Sequence, residues 1–246
     1  MSSSAANSNP AALAASLALL IAATFCLRPL EQRLAAPTGL RGEQLVALAG
    51  QGGSLAVLGG MRSAVASGFW LKADLAWEQR DAAATTALIG LTVAADERPL
   101  YFWLNGARMM AYDMPEWQAK ESMPAAVWQH VNAGCARRAL SFLEQGLRWH
   151  GVDAAFYIEM GNIHVRRTGD LAAAARCYRL AAEQPGAPYY TARIYGELLV
   201  QQGQTREALA WLRQVLPGLP GDDPAARREV VVERIAALER DIALKR

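Results

Sequence analysis

The sequence has few of the residues that build redox or metal sites. Only three cysteines occur among its 246 residues, at Cys26, Cys135 and Cys177, and no two of them form a CxxC motif. An odd number of widely spaced cysteines argues against a disulfide framework or a zinc knuckle. Free cysteine commonly packs as a small apolar residue, so we expect buried, unreactive thiols and no cofactor or metal.

Lysine is equally scarce, and Lys72, Lys120 and Lys245 are the only three in the chain. Arginine supplies the other basic residues, and 25 bases against 23 acids leave a net charge of +2. A balanced chain has no broad electrostatic attraction for nucleic acid, so we expect no nucleic-acid partner. Hydrophobic residues make up 52% of the sequence, which is ample for a sizeable core.

Charge is missing altogether from the first part of the chain, where no Asp, Glu, Lys or Arg precedes Arg28. Residues 10–27, PAALAASLALLIAATFCL, are almost wholly apolar. A membrane-spanning helix needs about 17 to 25 such residues, so this run just qualifies. We predict a single-pass membrane anchor over residues 1–34, followed by a linker over 35–56.

Two alternatives to an uncleaved anchor stay open, a cleaved signal peptide and a soluble hydrophobic helix. A signal peptide normally begins with a basic region, and MSSSAANSNP has none. The side of the membrane is also open, because Arg28 and Arg33 follow the span and basic residues collect on the cytoplasmic side. Most N-terminal anchors export the domain that follows, and we favour an extracytoplasmic domain at a bacterial inner membrane.

A period of 34 residues runs through the second half of the chain. Three pairs of positions share this interval: Gly169 and Gly203, Ala174 and Ala208, and Tyr178 and Leu212. A further glycine lies upstream of each turn glycine, Gly161 before Gly169 and Gly196 before Gly203. Tandem units of this length are typical of helical repeat proteins, in which each unit is a pair of helices.

The residue types suit two closely crossing helices. We expect the small residues Gly161 and Gly196 on each first helix to meet Ala174 and Ala208 on each second helix. Gly169 and Gly203 would end the first helices, where a positive φ is often needed, and Asp170 would cap the next helix. Tyr178 and Leu212 would fill the gap to the following helix. Pro185 and Pro220 would stop the second helices.

These marks resemble the tetratricopeptide repeat (TPR) superfamily. Residues 189–220 fit best, with Tyr195, Gly196, Gly203, Ala208, Leu212 and Pro220 in the family's order. Residues 156–185 fit too, with one extra residue in the turn between the helices and one fewer before the proline. The resemblance implies an all-α solenoid of helical hairpins, a fold that binds extended segments on its concave face.

Two earlier and weaker units precede these. We divide the repeat region, 57–221, into units at 57–99, 100–151, 152–186 and 187–221. In the second unit, Gly106 is the small residue of the first helix, and Ala139, Leu143 and Gly146 have the right intervals for the second. Residues 222–246 predict a C-terminal capping helix that begins at Asp223 and Pro224, because Val231, Ile235, Leu238 and Ile242 form one apolar stripe.

The junction LGGMRSAVASGFWLKAD, residues 58–74, resembles one in membrane-anchored bacterial TPR proteins. That resemblance suggests an ion pair between Arg62 and Asp74, although a surface position for both is the commoner outcome. The glycines of residues 50–60 do not have the spacing of a phosphate-binding loop, because no lysine follows them.

The candidate contact residues for a partner are aromatic. Residues 113–132 predict a long loop that combines Trp117, Trp128 and His130 with carboxylates, and Tyr189 and Tyr190 begin the last repeat. No nucleophile and base, and no pair of metal ligands, occur at a useful spacing, so we expect no enzyme. Two roles stay open for this loop: it contacts a partner, or it is only a structural insertion.

The sequence therefore predicts a membrane-anchored TPR scaffold or adaptor that holds proteins of an envelope complex, with the membrane contacted through residues 10–27. One alternative is an integral structural subunit of a large membrane complex. Another is an accessory protein of an envelope enzyme that acts through the 113–132 loop.

Overall fold

The computed structural model describes residues 61–119 and 123–244. The chain divides into two units after Val65, and the described residues from Ala66 onward belong to the second. Every regular element of this described part is helical, and it contains no strand. The prediction of an all-α protein is confirmed.

The helices follow one another with short connections. Their bounds are α1 Arg62–Glu78, α2 Ala82–Ala95, α3 Leu100–Arg108, α4 Met114–Gln118, α5 Ala125–His150, α6 Ala154–Ile163, α7 Leu171–Ala182, α8 Tyr190–Gln201, α9 Thr205–Val215 and α10 Arg228–Leu244. From α5 onward each helix packs on the next one along the chain, and α3 also packs on α5.

Aspartate caps start several of these helices. The Asp81 carboxylate accepts hydrogen bonds from the backbone N–H groups of Ala83 and Ala84 at 3.0 and 2.9 Å, which starts α2. Asp153 does the same for α6 and Asp170 for α7, the latter as the sequence predicts. Each such cap stabilises a helix by about 1 kcal/mol, because it satisfies an N–H group that has no partner within the helix.

Two short π-helical segments extend α3 and α6. Met109–Asp113 continues α3 into α4, and His164–Thr168 continues α6 to Gly169. A π-helical turn holds more residues than an α-helical turn. The sequence has one more residue between Gly161 and Gly169 than between Gly196 and Gly203. The helix absorbs this extra residue, whereas the sequence alone assigned it to the turn.

Both turn glycines of the 34-residue period adopt left-handed backbone conformations. Gly169 has φ of +69° and Gly203 has φ of +78°. A side chain at either position would be strained, because this region of conformational space disfavours residues with a Cβ atom. The two glycines therefore allow the chain to leave α6 and α8 and enter the next helix within a few residues.

The apolar core continues through α8 and α9 into the last helix. One buried cluster joins Leu199, Ala208 and Leu212 to Val231, Ile235 and Leu238 of α10. Burying a side chain of this size contributes about 1.5 to 3 kcal/mol. The predicted start of α10 at Asp223 and Pro224 is wrong, because these residues form a turn in which Asp223 accepts from the N–H of Ala225.

The predicted loop over residues 113–132 is largely helical. Asp113 ends the first π segment, α4 covers Met114–Gln118, and α5 already begins at Ala125. Pro124 immediately precedes α5, a position where a missing backbone N–H has no cost. The connection is therefore only a few residues long, and His130 lies on a helix.

None of the helices in the described ranges is both long and apolar enough to cross a bilayer. The predicted anchor, residues 1–34, the segment 10–27 within it and the linker 35–56 lie outside the described residues.

Candidate functional site

A cavity of about 380 Å³ lies between α1 and the run formed by α3 and the first π segment. Aromatic rings form part of its wall. The ring of Trp70 meets that of Tyr101 edge-on, with centroids 5.3 Å apart. Trp70 is buried, but Tyr101 keeps 57% and Trp77 keeps 38% of its surface exposed. Two of the three rings are therefore free to contact a bound molecule.

Carboxylates occupy the same cavity. Asp113 accepts a hydrogen bond from the indole N–H of Trp77 at 2.7 Å, which fixes both side chains. Asp74 and Glu78 lie four residues apart on α1 and so on one face of that helix. Burial, followed by repulsion from Glu78, raises the pKa of Asp74. No described residue forms a hydrogen bond or an ion pair with the carboxylate of Asp74 or Glu78.

A second cavity, of about 310 Å³, adjoins the first and shares Arg108 and Asp113 with it. Tyr112 of the first π segment also lines this cavity. The remaining wall is formed by Glu159 and Asn162 of α6 and by Arg166 of the second π segment. We call the two cavities together the groove. It runs across three helices, α1, α3 and α6.

Glu159 is a buried carboxylate in the wall of this second cavity. Its side chain is only 3% exposed, and Arg108 holds it with an N–O distance of 2.8 Å. The guanidinium of Arg108 is about half exposed and therefore lies between the buried acid and the open groove. A buried charge of this kind is tolerated only with a partner, which makes the pair a fixed feature of the groove.

Two further contacts shape the second cavity. Tyr178 donates its hydroxyl hydrogen to Asn162 at 2.8 Å, so that Asn162 is held from behind by α7. Burial, with a contribution from Glu159, raises the pKa of Tyr112 to about 12. No described residue is paired with the guanidinium of Arg166, which faces the cavity.

Arg167 joins the two π segments behind the groove. Its guanidinium donates to the backbone carbonyl of Tyr112 at 3.2 Å and to the carboxylate of Glu116 at 3.2 Å. The same group lies 5.0 Å from the centre of the Tyr112 ring, a cation–π distance. Asn132 in turn donates to the carbonyl of Arg167 at 3.0 Å. Arg167 therefore fixes α6 against α3, α4 and α5.

The predicted packing residues lie at helix crossings, with different neighbours from those expected. A Cβ added at Gly161 would meet the Tyr178 ring at 2.8 Å, and one at Gly196 would meet Leu212 at 3.1 Å. The nearest atoms to both glycines thus belong to the larger residues, and Ala174 and Ala208 are also fully buried. Tyr178 also shares a buried cluster with Leu198 of the following helix α8, and Leu212 shares one with Val231 of the following helix α10.

The other predicted packing positions are as follows. A Cβ at Gly106 would meet Ile89 at 2.7 Å, and one at Gly146 would collide with Phe156. Ala139 and Leu143 are fully buried on α5. Tyr195 packs edge-on against Trp211 at 4.9 Å. Pro185 and Pro220 lie in the connections after α7 and after the 3₁₀ turn that extends α9.

The five aromatic and histidine residues predicted to contact a partner do not line the groove. Trp117 packs edge-on against Trp77 at 6.3 Å, so it supports the groove from outside. Trp128 and His130 lie on the first turns of α5, where His130 is exposed. Tyr189 packs partly against the core, and Tyr190 is 38% exposed.

Arg62 and Asp74 do not form the predicted ion pair. Both lie on α1, twelve positions apart. Twelve residues of an α-helix rise about 18 Å, which is far beyond the reach of a direct contact. Asp74 instead faces the groove.

The residues of the groove recur at helical spacing in the sequence. Trp70, Asp74 and Glu78 follow one another at four-residue steps on α1. Tyr101 and Asn105 do the same on α3, with Arg108 three residues further. Polar and aromatic residues at this spacing share one face of a helix, and that periodicity was the available signal.

The groove contains no obvious reactive group. No cluster of three or more His, Cys, Asp or Glu that could hold a metal ion occurs in residues 61–119 and 123–244. Both described cysteines are buried, and burial raises the pKa of Cys177 to about 11. In comparisons with known proteins, no family model and no curated protein matches the chain.

Proposed function

We propose that the chain is a TPR-like solenoid that acts as a scaffold or adaptor, holding partner proteins at a membrane through its N-terminal segment. One observation carries the proposal. Across α1, α3 and α6, a continuous groove presents one largely exposed ring and three charged groups that pair with no described residue. Tyr101, Asp74, Glu78 and Arg166 all face it.

The dimensions of the groove favour a protein segment as the ligand. Its two adjoining cavities, of about 380 and 310 Å³, are open and lined with both aromatic and charged groups. Small-molecule sites are usually single, mostly apolar and enclosed. Helical-repeat proteins commonly bind extended or helical peptides on a surface of this kind. Contacts to a peptide would then come from α1, α3 and α6 in turn.

Site-specific photo-crosslinking in the native cells tests the proposal. A photoreactive amino acid replaces Tyr101 in the groove and, in a matched control, Leu180. Leu180 is 40% exposed on α7, a second helix of a pair. We expect a discrete crosslinked protein from position 101 and none from position 180.

Two results count against the adaptor. Equal crosslinking at both positions would mean that the groove does not select the partner. A partner that stays bound stoichiometrically through purification in mild detergent, and without which the chain is not recovered, would instead support a structural subunit of a membrane complex.

A further inference from the structure

The first cavity of the groove combines exposed rings with unneutralised acids. Trp77 and Tyr101 offer their rings to the cavity, while Asp74 and Glu78 have no partner among the described residues. The one basic residue in the wall, Arg108, is already paired with Glu159. The charge available to a ligand here is therefore negative.

Rings and carboxylates recognise the same kind of group. A cation over the face of Trp or Tyr is attracted by the negative face of the ring. A carboxylate attracts the same cation and accepts its N–H groups. An anionic ligand would meet like charge, and a wholly apolar one would leave Asp74 and Glu78 desolvated without a partner.

Resting on the proposed function, we infer that the first cavity binds a lysine or arginine side chain of the partner segment. The alkyl part of that side chain lies against Trp77 and Tyr101, and its charged end reaches Asp74 and Glu78. Asp113 is held by Trp77 at 2.7 Å and keeps that ring in position. The bound charge removes the repulsion between Asp74 and Glu78.

The continuity of the groove selects a protein side chain over a free cation. The first cavity opens into the second through Arg108 and Asp113, which line both. A peptide whose basic side chain occupies the first cavity therefore continues past Arg108 toward Arg166. In the second cavity, the unpaired guanidinium of Arg166 can contact the next part of the same segment.

Selection from a random peptide library tests this inference with the full chain in detergent micelles. Phage-displayed 12-residue peptides are panned against wild type, and the enriched peptides are then measured by fluorescence anisotropy. The test variant is Asp74→Asn with Glu78→Gln, which keeps side-chain shape. The control is Glu229→Gln with Asp241→Asn, which removes two exposed carboxylates from α10. Circular dichroism checks that both variants fold.

We expect enriched peptides to share a lysine or arginine at a fixed position. Their affinity should fall about tenfold in the test variant, which corresponds to roughly 1.4 kcal/mol, and stay unchanged in the control. Replacing that basic residue by norleucine in the peptide should cause a similar loss with wild type and little further loss with the test variant.

The failures of the inference and of the proposed function are distinguishable. Enriched peptides without a basic preference, or an equal loss in both variants, would overturn the basic-side-chain site and leave the adaptor function in place. If no peptide is enriched above empty micelles, the proposed function fails, and the inference fails with it.

Discussion

The ring of Tyr178 lies directly over Gly161, close enough that an added Cβ would approach its Cδ2 and Cε2 atoms to 2.8 Å. Tyr178 is itself only 3% exposed and hydrogen-bonded to Asn162. The ring therefore has little freedom to move away. This contact sets how closely α6 and α7 cross.

We expect Gly161→Ala to destabilise the fold by about 1 to 2 kcal/mol. The added methyl group overpacks the crossing, and the better helix propensity of alanine offsets only part of that cost. Gly90→Ala is the matched control, because Gly90 lies inside α2 with nothing within 4 Å of its added Cβ. That variant should gain roughly 0.5 to 1 kcal/mol. Urea unfolding of both variants measures the difference, and a neutral Gly161→Ala would contradict the crossing described here.

Arg167→Ala should loosen the joint between α6 and the elements before it. It removes hydrogen bonds to Tyr112 and Glu116 and a cation–π contact, which we expect to cost about 2 kcal/mol. Hydrogen exchange should speed up across Met109–Gln118 in particular. Arg206→Ala, at an exposed position on α9, should change neither quantity. If exchange were uniformly faster in both variants, Arg167 would not specifically hold α6 against Met109–Gln118.

Arg108 and Glu159 should be energetically coupled. Arg108→Ala leaves a buried carboxylate without its partner, and we expect a loss of about 1 to 2 kcal/mol, moderated because Arg108 is half exposed. Once Glu159→Gln has removed that charge, the same arginine substitution should cost less. A double-mutant cycle by thermal unfolding should give a coupling of about 1 kcal/mol. Simple additivity would show that the pair does not hold the groove wall.

Cys177 should make the fold sensitive to alkaline pH. Burial raises the pKa of its thiol from 9.0 to about 11 in the folded chain. As the pH rises, the Cys177 thiol therefore loses its proton in the unfolded chain before it does so in the folded chain. This ionisation stabilises the unfolded chain, so the free energy of unfolding should fall as the pH rises from about 9 toward 11. Cys177→Ala should have a shallower decline over this window in urea titrations. Identical pH profiles for both chains would mean that the thiol ionises equally well when folded.

The sequence predicted those features that depend on local spacing. The period through Gly169 and Gly203 located the turns, and Asp170 located a helix start, because φ and capping are set by single residues. The nearest neighbour of Gly161 is Tyr178 and not the expected Ala174, since which side chain comes closest at a crossing depends on the packing of two helices. The start of α10 was wrong because Pro224 is equally compatible with a turn.

The candidate site is harder to predict from the sequence, because it also depends on how separate helices pack together. The groove depends on Glu159 reaching Arg108 across 51 positions, and no local pattern encodes that distance. In sequence, His130 and Trp128 form a mixed cluster in a predicted loop, yet helix α5 starts before them. The four-residue spacing of Trp70, Asp74 and Glu78 is visible in the sequence. Charges on one face of a helix usually indicate only that this face is exposed to solvent, so the spacing alone does not predict a binding site.

The π-helical segment His164–Thr168 also determines how the chain tolerates one additional residue in α6. A residue inserted into an α-helix rotates everything beyond it by about 100°, which would carry Gly169 away from its turn. Because the widened turn takes up the additional residue, Gly169 and α7 keep their places. A one-codon insertion at this point changes which side chains, such as Arg166 and Arg167, face outward and which face the joint. Helices of unequal length can thus present different side chains on their outer faces while their crossings stay the same.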